Sequence, residues 1–409
     1  MPSWIQSAGR VALSLGLAVL GLGAPRLHAL QTGAALAQTS TTIHLPVVAK
    51  SGWFSSGFTF LAYGDSRAGS DCSGNAVHRD LVARMKNVSA ALAFHLGDMI
   101  VGYNANTNWT QRGACPDTAS SGSFLELVAP LQNKAPASGL PMFLFPVVGN
   151  HDDNWGSAWY PDPYDDTICD VFDMPALVPN HTQQPYFLDQ TARVTHYTDD
   201  QFRSLACSAS DESIYPTYMY YSFTHRNAHF VVMRLNSDYH NLLECYNGCN
   251  DSTNYDAFYY RHQYDWVRAD LAAAQADPAI DHVFVFIHAP IFTTSDGHYA
   301  NASWQILAEE FSNNDKVRMV FSGHNHVYER SVPIVVSPSS PTGARDDVNG
   351  IVYVTTGGGG SPLHGFRAAN PLIPVRESVY HFVQIDVIGA QITLRAIKQD
   401  GTLFDTIMR

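Results

Sequence analysis

Apolar, β-branched runs recur along the chain from Phe58 onward, and most of them stop at a polar residue. Residues 58–63 run into Gly64-Asp65, 90–96 into Gly97-Asp98, and 142–148 into Gly149-Asn150-His151-Asp152. Further on, 229–235 ends at Asn236-Ser237, 283–287 at His288-Ala289-Pro290, 317–321 just before Gly323-His324, and 351–354 at Thr355-Thr356 and four glycines. Short runs with so few polar interruptions predict strands covered on both faces. Between some of them the apolar residues take helical spacing: Leu81, Val82 and Met85 in 76–86, Trp266, Val267 and Leu271 in 264–275, and Ile306, Leu307 and Phe311 in 303–311. Strands alternating with helices predict an α/β fold whose sheets lie between helices. Runs 382–388, 391–397 and 402–408 alternate apolar with polar residues, the pattern of an antiparallel meander.

Two stretches break the rhythm. Residues 153–220 are rich in Trp, Tyr, Pro and Asp, and 237–262 in Tyr and Asn; both read as loop insertions over the strand ends. The beginning of the chain has a third character. Arg10 precedes an apolar, glycine-rich segment at 11–25 and a small-residue site at Ala35-Leu36-Ala37, with an earlier cut after Ala29 also compatible. This is a secretory leader pattern over 1–37, followed by a Thr/Ser/Gly-rich spacer at 38–56 and a catalytic domain over 57–409. The protein is expected to be secreted or otherwise extracytoplasmic. Six cysteines (Cys72, Cys115, Cys169, Cys207, Cys245 and Cys249) in an exported chain predict disulfides, and fifteen pairings are open to them. No pair has CxxC spacing, so thiolate metal sites are not expected.

The 409 residues are 45% hydrophobic and 15% charged, a globular composition with ample core material. Formal net charge is −13, and loss of 1–37, which hold Arg10 and Arg26 and no acid, takes it to −15. An acidic chain with no basic run is a poor partner for nucleic acid or an anionic membrane. Bound cations would offset part of that acidity.

The polar residues at the strand ends are Asp65, Asp98, Asn150, His151, Asp152, His288, His324 and His326. In α/β folds ligands bind at the carboxyl ends of strands. Carboxylates, imidazoles and an amide suit a borderline divalent or trivalent metal. One carboxylate placed between two ions bridges them, and such a pair stabilises both oxygens of a phosphoryl transfer and generates a hydroxide nucleophile.

The ordered motifs GDSR, GDM, GNHD, HAP and GHNH resemble those of the calcineurin-like metallophosphoesterase superfamily, over residues 58 to about 360. The stretch from Gly323 to Arg330, the HAP motif and the glycine run at 357–360 resemble its purple acid phosphatase branch. The resemblance implies a four-layer αββα sandwich with long loop insertions and a dinuclear centre of Fe, Mn or Zn. It implies one metal on Asp65, Asp98 and His326, and a second on Asp98, Asn150, His288 and His324. His151 would serve the leaving-group oxygen. His298, ten residues after His288, matches a substrate-facing histidine of the purple branch.

Two positions depart from the pattern. Where the superfamily has Asp-x-His and the purple branch Asp-x-Gly, this chain has Asp65-Ser66-Arg67. Protonated arginine does not ligate metal, but its fork matches a phosphate, so Arg67 is a candidate phosphate clamp. The purple branch's tyrosine is replaced by Val101, with Tyr103 two residues on. His78, on the first predicted helix, reads as a surface or capping residue. The function so implied is hydrolysis of a small-molecule phosphate ester, most simply a monoester. Phosphodiester or nucleotide hydrolysis on the same core is the alternative, with Trp155, Trp159, Tyr160, Tyr164 and Tyr186 available to stack on a ring. A binding protein on a decayed scaffold is the non-enzymatic rival.

Overall fold

The first three apolar runs become parallel neighbours: β1 (Phe58–Tyr63) pairs with β2 (Leu92–His95), and β2 with β3 (Phe143–Pro146). Parallel strands need crossovers, which α1 (Ser73–Met85) and α2 (Phe124–Gln132) supply. On its other edge β1 pairs antiparallel with β13 (His381–Ile388), the first strand of the C-terminal meander with β14 (Gln391–Lys398) and β15 (Leu403–Met408). The sheet order is β15-β14-β13-β1-β2-β3.

A second sheet holds β4 (Tyr221–His225), β5 (Ala228–Val232), β6 (His282–Phe286), β7 (Val317–Ser322), β8 (Tyr328–Arg330), β11 (Val352–Thr356) and β12 (Val375–Glu377). Its order is β12-β8-β11-β7-β6-β5-β4, and β9 (Ile334–Ser337) with β10 (Ser340–Arg345) forms a separate ribbon. The crossovers β5–β6 and β6–β7 contain α3 (Tyr255–Ala276) and α4 (Gln305–Ser312).

This computed structural model describes residues 57–67, 73–90, 92–100, 124–132, 142–152, 220–235, 255–300 and 304–409, all within one unit spanning Ser55–Arg409. The expected leader and spacer, the six cysteines, Tyr103 and most of both insertions lie outside the described residues.

Alternation along the strands assigns their faces. Phe60 and Phe94 of the first sheet meet Phe230, Phe284, Phe286 and Phe321 of the second in one buried cluster. Phe94 and Phe286 stack at 3.8 Å and 9°. Aromatics bury large areas, so this layer holds the sheets together. On the far side of the second sheet, Val283, Val285 and Val320 pack with Val267 and Leu271 of α3 and Leu307 and Phe311 of α4. Leu81, Val82, Val128 and Leu131 of α1 and α2 join the first sheet's cluster. The result is a four-layer αββα arrangement.

A buried polar chain fastens α3 to the second sheet. Ser222 donates to Asp270 (2.8 Å), His229 Nε2 lies 2.9 Å from the same carboxylate, and Thr224 Oγ1 lies 2.9 Å from His229 Nδ1. Hydroxyl, imidazole and carboxylate here do structural work, since Thr224, His229 and Asp270 are sealed from solvent.

Two sequence expectations change. α3 begins at Tyr255, so residues 255–262 belong to a helix and not to the loop insertion. No glycine or proline interrupts 255–276, and Pro278 follows its end; the aromatic, Asn-flanked composition hid the helical period. His78 is buried, not at the surface, because it lies on the face of α1 that covers β1. Its Nε2 is 3.0 Å from Tyr63 Oη. No helix among the described residues is long and apolar enough to cross a membrane.

Candidate metal centre

The carboxyl ends of both sheets meet at one place. Asp65 leaves β1, Asp98 follows β2, Asn150 and His151 follow β3, His288 follows β6, and His324 and His326 follow β7. The exits are tight. Asp65, Asp98 and His324 have φ of 58°, 55° and 66°. A non-glycine residue in the left-handed region costs on the order of 1–3 kcal/mol and persists only when its surroundings impose it.

Here they do. Asp65 N–H donates to Gly97 O (2.9 Å), and the Asp65 carboxylate accepts the His324 N–H at 2.9 and 3.0 Å. Asp152 takes the N–H of Asp98 (2.8 Å), Met99 (2.9 Å), Ile100 (3.3 Å) and Gly149 (2.9 Å) on its two oxygens. The His151 N–H donates to Asp98 Oδ1 at 2.9 Å. Position 149 must be glycine, because a Cβ there would collide with Asp98 N and Oδ1.

The side chains form two groups. The ligand atoms of Asp65, Asp98 and His326, all buried, lie within 4.8 Å of one another. In the second group His288 Nε2 lies 3.0 Å from Asn150 Oδ1, 3.2 Å from His324 Nδ1 and 3.3 Å from Asp98 Oδ1. His324 Nδ1 is 2.9 Å from Asn150 Oδ1. Asp98 belongs to both groups.

Hydrogen bonding fixes the tautomers. His288 Nδ1 points at Leu96 O (2.6 Å) and His326 Nδ1 at Pro362 O (2.7 Å). A carbonyl only accepts, so each Nδ1 carries the proton and each Nε2 offers a lone pair. The lone pair of His288 faces an amide oxygen and a carboxylate. That of His326 is 3.6 Å from Asp65 Oδ1 and makes no hydrogen bond among the described residues. Lone pairs converging in a buried space call for a cation, and this donor set fits one.

The electrostatics of the site agree with this. Burial pulls His288 down to about 3 and His326 to about 2, so both imidazoles are neutral. Burial, and then the Asp98 charge, push the Asp65 carboxyl well above its usual range. Burial acts on Asp98 in the same sense, but His288, His151, Arg67 and His324 outweigh it and hold its carboxyl below the usual range.

Around this centre stand the other sequence candidates. Arg67 Nε donates to Asp98 Oδ2 at 3.2 Å. His151 has a side chain 25% exposed and its Nε2 3.9 Å from Asp98 Oδ2. The His298 ring stacks on His324 at 3.8 Å and 29°. Asn325 holds His298 in place: its Oδ1 accepts the His298 N–H at 2.8 Å, and its Nδ2 donates to His298 O at 3.3 Å.

Comparison with known proteins fits this architecture. The profile of the calcineurin-like phosphoesterases matches residues 58–328. The chain belongs to that family. Among curated relatives, purple acid phosphatase 22 of Arabidopsis thaliana is 26% identical over 203 residues, 48% of this chain and 41% of the relative. Purple acid phosphatase 13 of the same plant is 31% identical over 144 residues, 35% of this chain and 22% of the relative. This phosphoesterase therefore matches less than half the length of either. The structure of purple acid phosphatase PPD1 from yellow lupin (Lupinus luteus) seeds shares the fold, with a TM-score of 0.51 at 16% identity over 87% of this chain and 54% of that one.

Sequence reasoning left four residues of the site without roles: Asp152, Asn325, Glu329 and His364. Glu329 is buried and accepts the Thr294 N–H (2.7 Å) and Oγ1–H (2.6 Å), which anchors the loop leading to His298. Tyr328 and Arg330, its neighbours in the GHNHVYER motif, bind Asp405 instead, at 2.6 Å and 2.9 Å. The motif's tail is thus structural. Asp152 and Asn325 lie inside the GNHD and GHNH motifs, but nothing in the sequence marks their bracing role. His364 lies just past the glycine run, where only position hinted at it.

Proposed function

We propose that this phosphoesterase is a phosphomonoester hydrolase with a dinuclear metal centre. The observation that carries the reading is the sharing of Asp98 between two buried donor groups. Asp65 and His326 would hold one ion, Asn150, His288 and His324 the other, with Asp98 between them. When bound, the ions supply Lewis-acid stabilisation of the phosphoryl oxygens and acidify the attacking water.

The remaining work falls to side chains. Arg67 keeps two guanidinium nitrogens beyond its Nε bond to Asp98, and these suit a phosphoryl oxygen. The His151 side chain is 25% exposed beside Asp98, and an imidazole so placed suits proton transfer to a departing alkoxide. His298, stacked on His324, lines the substrate side of the second group. The left-handed turns at Asp65, Asp98 and His324 fix the donors before substrate arrives, which is the condition for electrostatic catalysis.

A substrate panel tests the choice of ester. Metal-reconstituted protein is offered an aryl phosphate, a bis-aryl phosphate and a nucleoside monophosphate. The monoester reading expects kcat/KM for the aryl phosphate to exceed that for the diester by about 100-fold, roughly 2.7 kcal/mol in the barrier. Faster diester hydrolysis would overturn it.

A further inference from the structure

Two loops close one side of the centre, and they are tied together. Asp296 N–H donates to Gly365 O at 3.1 Å, Gly365 N–H to Asp296 Oδ1 at 2.7 Å, and Arg367 N–H to Thr294 O at 2.7 Å. Ser295 and Phe366 form an antiparallel bridge. The first loop carries His298 and the second His364.

Each of these histidines backs a ligand-type histidine. His298 stacks on His324, and His364 stacks on His326 at 4.0 Å and 20°. The two outer rings meet edge to face at 5.7 Å and 61°. His364 is held at both ends of its backbone contact: its N–H donates to His326 O at 3.1 Å, and the His326 N–H donates to its Nδ1 at 3.1 Å. Gly297 passes so close that a Cβ there would collide with the His364 ring.

The bond to Nδ1 decides the chemistry. An N–H donor requires a lone pair on Nδ1, so the neutral ring carries its proton on Nε2. The ring is half-buried, and the groups that bear on it are His298, the Asp296 carboxylate, His324 and Arg67. A fixed N–H donor therefore stands beside the first donor group, on the ring stacked against His326.

We propose that His364 selects phosphomonoesters by donating its Nε2–H to a nonbridging phosphoryl oxygen. This rests on the phosphoesterase reading above. A monoester presents three nonbridging oxygens and a diester two, so a donor additional to the metal groups and Arg67 serves the monoester preferentially. No bond to His364 forms or breaks; the residue binds and orients substrate.

The test uses metal-loaded protein and two variants. His364→Phe keeps a ring to stack on His326 and removes the donor, while His364→Gln places an amide N–H near the same position. The expected result for His364→Phe is a loss of about tenfold or more in monoester kcat/KM, carried by KM, with diester hydrolysis changed about twofold or less. Inhibition by inorganic phosphate should weaken in parallel, metal content should stay at the wild-type value, and His364→Gln should recover most of the loss. Equal losses on both esters, unchanged phosphate inhibition, or loss of metal from His364→Phe would each overturn the proposal. Wild-type protein inactive on both esters would instead overturn the phosphoesterase reading, a failure visible before any variant is made.

Discussion

Arg67 Nε stands 3.2 Å from Oδ2 of Asp98, the carboxylate common to both donor groups. The superfamily motif places a small residue or a histidine there, and this chain places a permanent cation. Its charge opposes a metal ion on the Asp65–Asp98–His326 side.

That side is expected to load more weakly than the Asn150–His288–His324 side. A unit positive charge about 4 Å from a divalent ion costs on the order of 2–8 kcal/mol at effective dielectrics of 80 down to 20. Calorimetric titration of manganese into metal-stripped protein should show one tight and one weak site. Arg67→Ala should tighten the weak site by about tenfold while raising KM for an aryl phosphate. Two equal sites in the wild type would count against this role for Arg67.

Asp152 is expected to be essential without touching substrate. Its two oxygens collect four backbone N–H groups and so set the left-handed turn at Asp98. Asp152→Asn keeps the shape but turns one acceptor into a donor aimed at amide N–H groups. Stability should fall by about 2–3 kcal/mol, and metal affinity should fall at both sites. Denaturant unfolding together with metal analysis checks both, and a variant that unfolds like wild type and keeps its metals would contradict the bracing role.

The buried histidines make stability depend on pH. Burial lowers His381 to about 4 and His78 to about 3, against about 6.5 in an unfolded chain. Both are neutral in the fold, so below pH 6.5 the unfolded state takes up protons that the native state refuses. Stability is therefore full above about pH 6.5 and is lost as pH falls toward 4, at up to about 1.4 kcal/mol per unit for each histidine. His381→Asn preserves a donor to Val379 O, which Nδ1 meets at 2.9 Å, and removes the titration. Its unfolding free energy should decline less steeply between pH 6.5 and 4.5 than that of wild type; parallel slopes would show that His381 does not contribute to the pH dependence.

The apolar runs revealed the strands because a strand covered on both faces has little room for polar residues. β1, β7 and the C-terminal meander begin and end within a residue of their sequence expectation. The site's constituents were equally visible, since Asp65, Asp98, Asn150, His288, His324 and His326 all stand just past such runs. Elements with weaker patterns stayed hidden. α2 contains Pro130, β8 and β12 have three residues each, and the start of α3 is masked by tyrosines. The bracing of Asp98 by Asp152 and the stacking of His364 on His326 could not be read either. Both depend on main-chain N–H groups whose direction is set only when the turns are formed.

The Asp98-linked donors are proposed to form a two-metal centre that hydrolyses phosphate esters. The direct measurement is metal content and aryl phosphate turnover on the same preparations of wild type and Asp98→Ala. The expected result is two ions per wild-type chain, turnover that chelation removes and metal restores, and neither bound metal nor turnover in Asp98→Ala. Turnover by metal-free wild type, or metal binding and turnover that survive Asp98→Ala, would contradict it.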